Sequence, residues 1–392
     1  MVEPTMEKNK KSAKANILNM QEVQAAAERL AEDYIQFLNY MSNNTVKLTA
    51  RTLRLGKKDC SEINSLFHCA PEIWQGAGRT QEYYVEIDYF FYFSIYYGII
   101  RPFKKGGSIL VEMTGKKEQF LKMSSTQRYG IMLTYMFGEY LCSESSDCCT
   151  YDFSHALIQD EFMPVDYSQI TDMRNFKYLY LTFPRLFSAF GLLEIKWVDT
   201  LEKDDKNGMQ HIRLTNLGSD IFRFIRIRDL LSVGDEERTV YLLNKFTALD
   251  STVDDVKAFM QPETISNHVT YILKVELGSC MRKIRLGGRA TLEELHEAIQ
   301  RAVNFDNDHM YCFTIGFGRT KKSYYHPYCE DEPYLANEVY LQEILLYEKM
   351  KFEYLFDFGD CWRFEITVEK ILPEYTENAG VIEQKGRNPK QY

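Results

Sequence analysis

The chain has 392 residues and a mass of 46.1 kDa, which exceeds one ordinary hydrophobic core and fits two or three domains. Apolar residues make up 45% and charged residues 26%, with only 10 Pro and 21 Gly, so a disordered or fibrous chain is excluded. The net charge of −9 argues against a protein coated in nucleic acid, although it is compatible with a local basic face.

The nine cysteines have no regular spacing, so they do not predict a disulfide framework. A metal cluster could be built from Cys142, Cys148, Cys149 and His155. Idle or buried thiols in a reducing cytosol are the favoured interpretation of these residues. We therefore expect no metal and no other cofactor.

The N-terminal segment, residues 1–20, is basic but has no apolar core, so we expect a disordered N-terminus rather than a signal peptide. The most apolar run, Tyr89 to Ile100, is too short to span a bilayer and is typical of a buried helix. These features predict a soluble, cytoplasmic protein without a membrane partner.

The first predicted element is an amphipathic helix over residues 21–40. Its apolar side chains recur at steps of three and four residues: Val23, Ala27, Leu30, Tyr34 and Leu38. A second helix is predicted from Ser61 onward. Together with the segment that follows, these helices form the first predicted region, residues 21–150.

A repeated order of elements follows, once between Tyr83 and Leu121 and again between Asn175 and Leu231. Each copy reads as an apolar helix, a Gly, two apolar residues, a β-hairpin, an apolar-Thr pair and another helix. The Gly after the helix can take the left-handed cap conformation and turn the chain sharply, so that the hairpin projects as a wing. This order resembles a winged helix, and we expect a second such domain over residues 151–250.

The first predicted wing carries most of the positive charge that could meet a nucleic acid. Its candidate phosphate-binding residues are Arg101, Lys104, Lys105, Lys116 and Lys117. The second wing is acidic, with Glu202, Asp204 and Asp205, which favours protein–protein contact there. Two partners therefore stay open: DNA, bound weakly and in a salt-dependent manner, or a protein.

After a predicted linker over residues 251–267, the pattern changes at His268. Two strands, a helix with a capping box at Thr291 and Glu294, and a third strand follow in order. The last predicted strands, 351–358 and 362–372, pair around Gly359 and Asp360. This order predicts an α+β domain of the β-grasp kind over residues 268–392, after a mostly helical N-terminal part.

The C-terminal sequence also resembles a known family. The motifs are Tyr271-x-Leu-Lys-Val, Arg282-Lys-Ile-x-Leu, Asp308-His309-x-x-x-Phe and Asp357-Phe358-Gly359-Asp360-x-Trp362. They are similar to those of the plasmid pRiA4b ORF-3-like family, whose members are also labelled insertion-sequence passenger proteins of TnpR type. The family motif maps here onto Asp357, Gly359, Asp360 and Trp362. The resemblance implies no assigned biochemical role, and many relatives have His where this chain has Phe364.

Two interpretations of the motif stay open. Asp357, Asp360 and His309 could form a divalent-metal or acid–base site of a hydrolase or nuclease. Alternatively, the two Asp side chains accept backbone N–H groups in a turn, and Trp362 anchors the core. The second interpretation is favoured, because Asp side chains commonly accept backbone N–H groups in Asx-turns. Phosphate-binding loops and the common zinc and serine-hydrolase motifs are also missing from the sequence, which argues against a nucleotide or zinc enzyme of a common type.

The function predicted from the sequence is therefore non-enzymatic. We expect an accessory or regulatory protein of a mobile-element or plasmid setting that binds nucleic acid or a protein through its winged modules. The alternative is a metal-dependent hydrolase or nuclease that uses Asp357, Asp360 and His309.

Overall fold

The computed structural model describes residues 18–68, 78–141, 161–164, 183–199, 208–225, 235–247, 256, 258–259 and 269–391. Residues 1–17 of the predicted disordered N-terminus, the cluster of Cys142, Cys148, Cys149 and His155, and the tip of the second wing lie outside these residues. Residues 18–20 are ordered, contrary to the prediction, since Leu18 is buried and α1 begins at Met20. The architecture is α+β, as the sequence predicts.

The helices in chain order are α1 Met20–Asn43, α2 Lys57–Asn64, α3 Val85–Tyr96, α4 Lys116–Lys122, α5 Ser125–Tyr135, α6 183–189, α7 Asn216–Phe224, α8 Asp235–Thr247 and α9 Leu292–Val303. The strands are β1 Ile100–Lys105, β2 Ser108–Met113, β3 Met163–Pro164, β4 Leu193–Trp197, β5 Met209–Leu214, β6 Thr270–Leu277, β7 Cys280–Gly287, β8 Tyr311–Ile315, β9 Lys322–Tyr325, β10 Lys351–Phe356, β11 Trp362–Leu372 and β12 Gly380–Lys385. Short 3-10 turns span Gln81–Tyr83, Gly318–Thr320 and Leu341–Glu343, and a π-helical turn, Met136–Tyr140, follows α5.

Helix α1 confirms the predicted amphipathic helix. The Asn19 side chain accepts a hydrogen bond from the Gln21 amide and caps the first turn. The predicted stripe is buried, and Tyr34 in its middle is 1% exposed. Helix α2 begins at Lys57, four residues before the predicted start at Ser61.

An isolated β-bridge between Lys47 and Leu110 joins the segment between α1 and α2 to the first hairpin, β1 and β2. The Leu48 amide donates to the Ile109 carbonyl at 2.9 Å, and the Val111 amide donates to the Val46 carbonyl at 3.1 Å. The order is therefore helix, bridged segment, two helices and hairpin, with the bridged segment paired to β2. In the second copy, β3 pairs with β5 in the same position.

The two copies also close their hairpins with the same hydrogen bonds. Gly98 and Gly191 both have a positive φ, +67° and +74°, in the left-handed region that favours glycine. The Thr114 hydroxyl donates to the Gly98 carbonyl at 2.6 Å, and the Thr215 hydroxyl donates to the Gly191 carbonyl at 2.8 Å. The two copies of the repeat thus share the same glycine conformation and the same hydrogen bond, while the winged-helix assignment stays a prediction.

The C-terminal domain is built on a sheet of strand order β12-β7-β6-β11-β10-β8-β9, antiparallel at every pairing. Helix α9 packs its apolar stripe of Leu292, Leu295, Ile299 and Val303 into the core. Its capping box at Thr291 and Glu294 is confirmed. The sequence did not predict β9 or β12, and the β-grasp label stays a prediction.

The N-terminal and C-terminal parts share one connected apolar core. At their junction Arg319 lies 3.3 Å from the Asp88 carboxylate and donates to the Tyr140 carbonyl at 3.2 Å. The predicted linker lies mainly outside the described residues. Its Phe259, however, is 1% exposed, with its ring 5.3 Å from those of Tyr97 and Phe120. At that point the chain packs as N-terminal core rather than as an exposed connector.

Candidate functional site

The tip of the first wing presents two exposed lysines. Lys104 and Lys105 end β1, directly before the turn at Gly106 and Gly107. Gly106 has a φ of +59°, which the tight turn requires. The two ammonium groups therefore project from a rigid hairpin, a placement that the sequence order predicts.

Two other cations of the predicted set are partly engaged. Arg101 pairs with Glu112 directly across the hairpin, at 2.5 Å. Lys117 donates to the Ser42 hydroxyl at the end of α1, at 2.8 Å. An exposed ion pair of the Arg101–Glu112 kind contributes about 0–1 kcal/mol, so Arg101 can exchange this partner for another anion at low cost.

Lys116 is buried, so its prediction as a phosphate-binding residue of the wing is corrected. It is 4% exposed, and its ammonium donates to the Phe259 carbonyl at 2.7 Å and lies 5.2 Å from the Phe259 ring centre. A group so placed is not at the surface where a nucleic acid backbone would lie. This burial could not be predicted from the sequence, because the partner residue, Phe259, is 143 residues away along the chain.

Helix α3 precedes the wing, where the predicted winged helix would carry its DNA-reading helix, and it is buried except at its last residue, the half-buried Tyr96. Every residue from Val85 to Ile95 is buried. The Tyr89 ring packs on Phe190 at 5.4 Å, and Glu86 forms a buried ion pair with Arg185 at 2.9 Å. The buried helix expected over Tyr89 to Ile100 is confirmed as far as Tyr96, whereas residues 97–100 form the turn at Gly98 and the start of β1. The buried side chains of α3 cannot reach base edges without unfolding.

The turn around Asp357 joins β10 to β11, as predicted. The Asp357 side chain accepts hydrogen bonds from the Gly359 amide at 2.8 Å and the Asp360 amide at 3.3 Å. Asp357 has a φ of +57°, which Asp tolerates better than most residues. For Asp357 the turn interpretation is thus what the geometry supports.

His309 approaches this turn from the loop before β8. Its Nε2 lies 3.7 Å from the Asp357 carboxylate, and its Nδ1 lies 2.8 Å from Asp308. The hydrogen bond to Asp308, and then the charges of Asp357 and Asp360, raise the pKa of the His309 imidazole. His309 and Asp357 are therefore neighbours, as the alternative hypothesis needs.

Asp360, the third residue of the predicted metal or acid–base site, is placed differently from the other two. Asp360 lies on the exposed part of the turn. In the part of the chain that the structure describes, no three His, Cys, Asp or Glu side chains form a group that could hold a metal ion. The metal site predicted from Asp357, Asp360 and His309 is therefore not assembled.

Trp362 and Phe364 face the core beside the turn. The Trp362 ring is half-buried and meets Phe305 edge-on at 5.1 Å. Phe364 is 1% exposed and lies 5.5 Å from the Tyr354 ring. Both side chains pack, as the anchoring interpretation of Trp362 requires.

A buried polar cluster that was not predicted from the sequence lies under α9. His296 is 1% exposed and stacks on the Tyr311 ring at 3.7 Å. Its two ring nitrogens lie 2.6 Å from the Tyr354 hydroxyl and from the Asn307 amide oxygen. Burial lowers the pKa of its imidazole to about 4. The sequence pattern could have indicated this burial, since His296 lies four residues after Leu292 and three before Ile299, on the buried stripe of the helix.

The fold thus defines a class: two helix-and-hairpin modules followed by an antiparallel α+β domain. Residues 269–391 match the family model described as Plasmid pRiA4b ORF-3-like protein, which confirms the resemblance seen in the motifs. The match covers the C-terminal domain alone.

Similar proteins include a curated relative and a solved structure. The chain is 32% identical over 114 residues to "Uncharacterized protein y4hQ" of Sinorhizobium fredii (strain NBRC 101917 / NGR234), covering 28% of this chain and 56% of that protein. The chain thus spans about half the length of this curated relative. A solved structure titled "Crystal Structure of Protein of Unknown Function MM3350 from Methanosarcina mazei Go1" is 22% identical, with a TM-score of 0.27, over 32% of this chain and 74% of that one. Among the helices that the structure describes, none is long and apolar enough to cross a membrane.

Proposed function

We propose that the chain is a non-enzymatic accessory protein that contacts the phosphates of a nucleic acid through the wing of its first module. The observation that carries the proposal is the contrast within that module: the lysines of the wing tip are exposed, while helix α3 is buried along its length. The contact would therefore be made to the backbone and be independent of base sequence. The plasmid description of the matching family supports a plasmid or mobile-element setting.

The charge balance makes this contact weak. The chain carries a net charge of −9, so a nucleic acid is repelled except near the wing. Lys104 and Lys105, with Lys47 in the segment bridged to the hairpin, form the local exception. Each phosphate contact adds about 0.9 to the slope of log affinity against log salt, so the binding should weaken steeply as salt rises.

Fluorescence anisotropy with a labelled duplex, titrated with the full chain at several salt concentrations, tests the proposal. Lys104→Ala/Lys105→Ala should lower the salt slope by about 2. The matched control is Lys57→Ala/Lys58→Ala, which removes two adjacent exposed lysines from the start of α2 in the same module. Equal binding by both double variants would contradict the role of the wing, as would a strong preference for one duplex sequence.

A protein partner is the second candidate, and the burial of α3 favours it, because the module then lacks a reading helix. The outer face of the wing carries half-buried Phe103 and Leu110 as cross-strand neighbours. A photocrosslinking amino acid at Lys105, compared with the same amino acid at Lys57, tests this candidate in the host cell. A discrete protein adduct at the wing and none at α2 would support it, and equal labelling at both positions would contradict it.

A further inference from the structure

A cleft of about 340 Å³ lies between the first module and the C-terminal domain. One wall comes from the end of α3 and the start of the wing. The other comes from the turn between β8 and β9 and from the segment around the 3-10 turn Leu341–Glu343. The cleft is separate from the wing tip and from the Asp357 turn, so it belongs to neither site described above.

The walls are mostly apolar and aromatic. The rings that line the cleft are those of Tyr96, Tyr97, Phe317 and Tyr324, and aliphatic side chains such as Ile344 and Leu345 lie beside them. Small-molecule sites combine such walls with a few converging polar groups. A ligand with a flat apolar body suits these walls.

Two polar atoms at the cleft are buried with no hydrogen-bond partner among the described residues. They are the hydroxyl of Tyr97, a residue 6% exposed, and the side-chain oxygen of Gln342. Buried polar groups are nearly always paired, and an unpaired one costs about 1–3 kcal/mol. A hydroxyl can donate to a ligand and an amide oxygen can only accept, so the pair fits a ligand with both an acceptor and a donor.

The charged groups at the cleft are mainly cationic. Arg101, Lys116 and Lys322 line it, against the single carboxylate of Glu343 among its lining residues. The Lys322 ammonium donates to the Tyr334 hydroxyl at 2.8 Å and lies 3.9 Å from Glu139. It also lies 5.1 Å from the Tyr96 ring centre, so it stands directly over one aromatic wall. Arg101 is paired with Glu112, and the Lys116 ammonium is buried against the Phe259 carbonyl. Lys322 is therefore the cation of the cleft that an anionic ligand would meet.

We propose that this cleft binds a small hydroxylated aromatic carboxylate. The ring system lies between the aromatic walls, the carboxylate faces Lys322 and the Tyr97 hydroxyl, and the ligand hydroxyl donates to Gln342. Because both domains supply lining residues, a bound ligand also ties the C-terminal domain to the first module. The inference stands apart from the proposed function, since it uses neither Lys104 nor Lys105.

Isothermal titration calorimetry of the full chain with 6-hydroxy-2-naphthoate tests the proposal. We expect one binding site per chain and weaker binding of neutral 2-naphthol, which lacks the carboxylate. Tyr97→Phe keeps the ring and removes the hydroxyl, so it should weaken binding about three- to tenfold. Lys322→Met should weaken it about tenfold, whereas Lys321→Met removes an exposed positive charge one residue away and should leave the affinity unchanged.

A third variant separates loss of the site from loss of the fold. Leu345→Trp enlarges a half-buried side chain of the cleft wall and should abolish binding while the thermal unfolding midpoint stays near that of the parent chain. The proposal is overturned if 6-hydroxy-2-naphthoate does not bind at concentrations up to ~1 mM. It is also overturned if 2-naphthol binds as tightly as the acid, or if Lys321→Met and Lys322→Met lose affinity equally.

Discussion

Replacing His296 with glutamine should remove a pH dependence from the stability of the C-terminal domain. The imidazole of His296 is buried between Tyr311 and the Tyr354 hydroxyl, and burial lowers its pKa from 6.5 to about 4. Between pH 6.5 and about pH 4, the His296 imidazole is protonated in the unfolded chain and neutral in the folded chain. The free energy of unfolding therefore falls as the pH is lowered from 6.5 to 4.

The size of the effect follows from the two pKa values. One pKa unit corresponds to about 1.4 kcal/mol, so the full loss is about 3 kcal/mol, and about 2 kcal/mol of it is reached between pH 7 and about pH 4.5. His296→Gln cannot titrate, so this part of the pH dependence should disappear, although the variant is less stable than the parent at pH 7. Urea unfolding of both chains at the two pH values measures the difference.

The matched control is the same substitution at His309. The pKa of His309 is raised, first by its hydrogen bond to Asp308, so its stabilising contribution is present at low pH and lost as the pH rises. His309→Gln should therefore lose stability mainly at acid pH, the opposite sign to His296→Gln. Carbon-13 NMR of the His ring carbons gives the direct check: a His296 signal that titrates near pH 6.5 would refute the reasoning.

Two further predictions concern stability. Arg319→Met leaves Asp88 buried at the junction of the two parts and should cost about 2–4 kcal/mol in the free energy of unfolding, whereas Arg363→Met, which breaks an exposed pair with Glu353, should cost less than about 1 kcal/mol. Similar losses in the two urea titrations would contradict a tight junction. Asp357→Ala removes two hydrogen bonds at a positive φ and should cost about 2 kcal/mol, whereas Asp357→Asn keeps the acceptor and the tolerance of the left-handed conformation and should cost less than about 1 kcal/mol. Equal unfolding midpoints for these two variants would show that the turn does not depend on the Asp357 oxygen.

The elements that the sequence predicts well are those fixed by short-range chemistry. The capping box at Thr291 and the glycine turns of the two hairpins depend on residues a few positions apart. The burial of helix α3 was also predictable, because a helix that is apolar on all sides must be buried. These features set the position of the wing and of its two exposed lysines.

The features that the sequence could not predict depend on distant partners. Judged from the sequence, Lys116 is a surface cation, but in the fold it is buried against Phe259. Edge strand β12 forms by pairing with β7, which is distant in the sequence. Whether His309 and the two Asp side chains converge depended on how the loop before β8 meets the β10–β11 turn. Such long-range placement leaves no local pattern in the sequence. The convergence of Asp357, Asp360 and His309 could therefore not be predicted from the sequence.

Hydrogen–deuterium exchange of the full chain, with and without an excess of duplex DNA at low salt, tests the central claim most directly. If the wing binds the duplex, the backbone amides around Lys104 and Lys105 should exchange more slowly when the duplex is present. The amides of α3 should stay strongly protected, with or without the duplex. Slower or faster exchange in α3 with no change at the wing would contradict it, because binding would then use the helix that the fold buries.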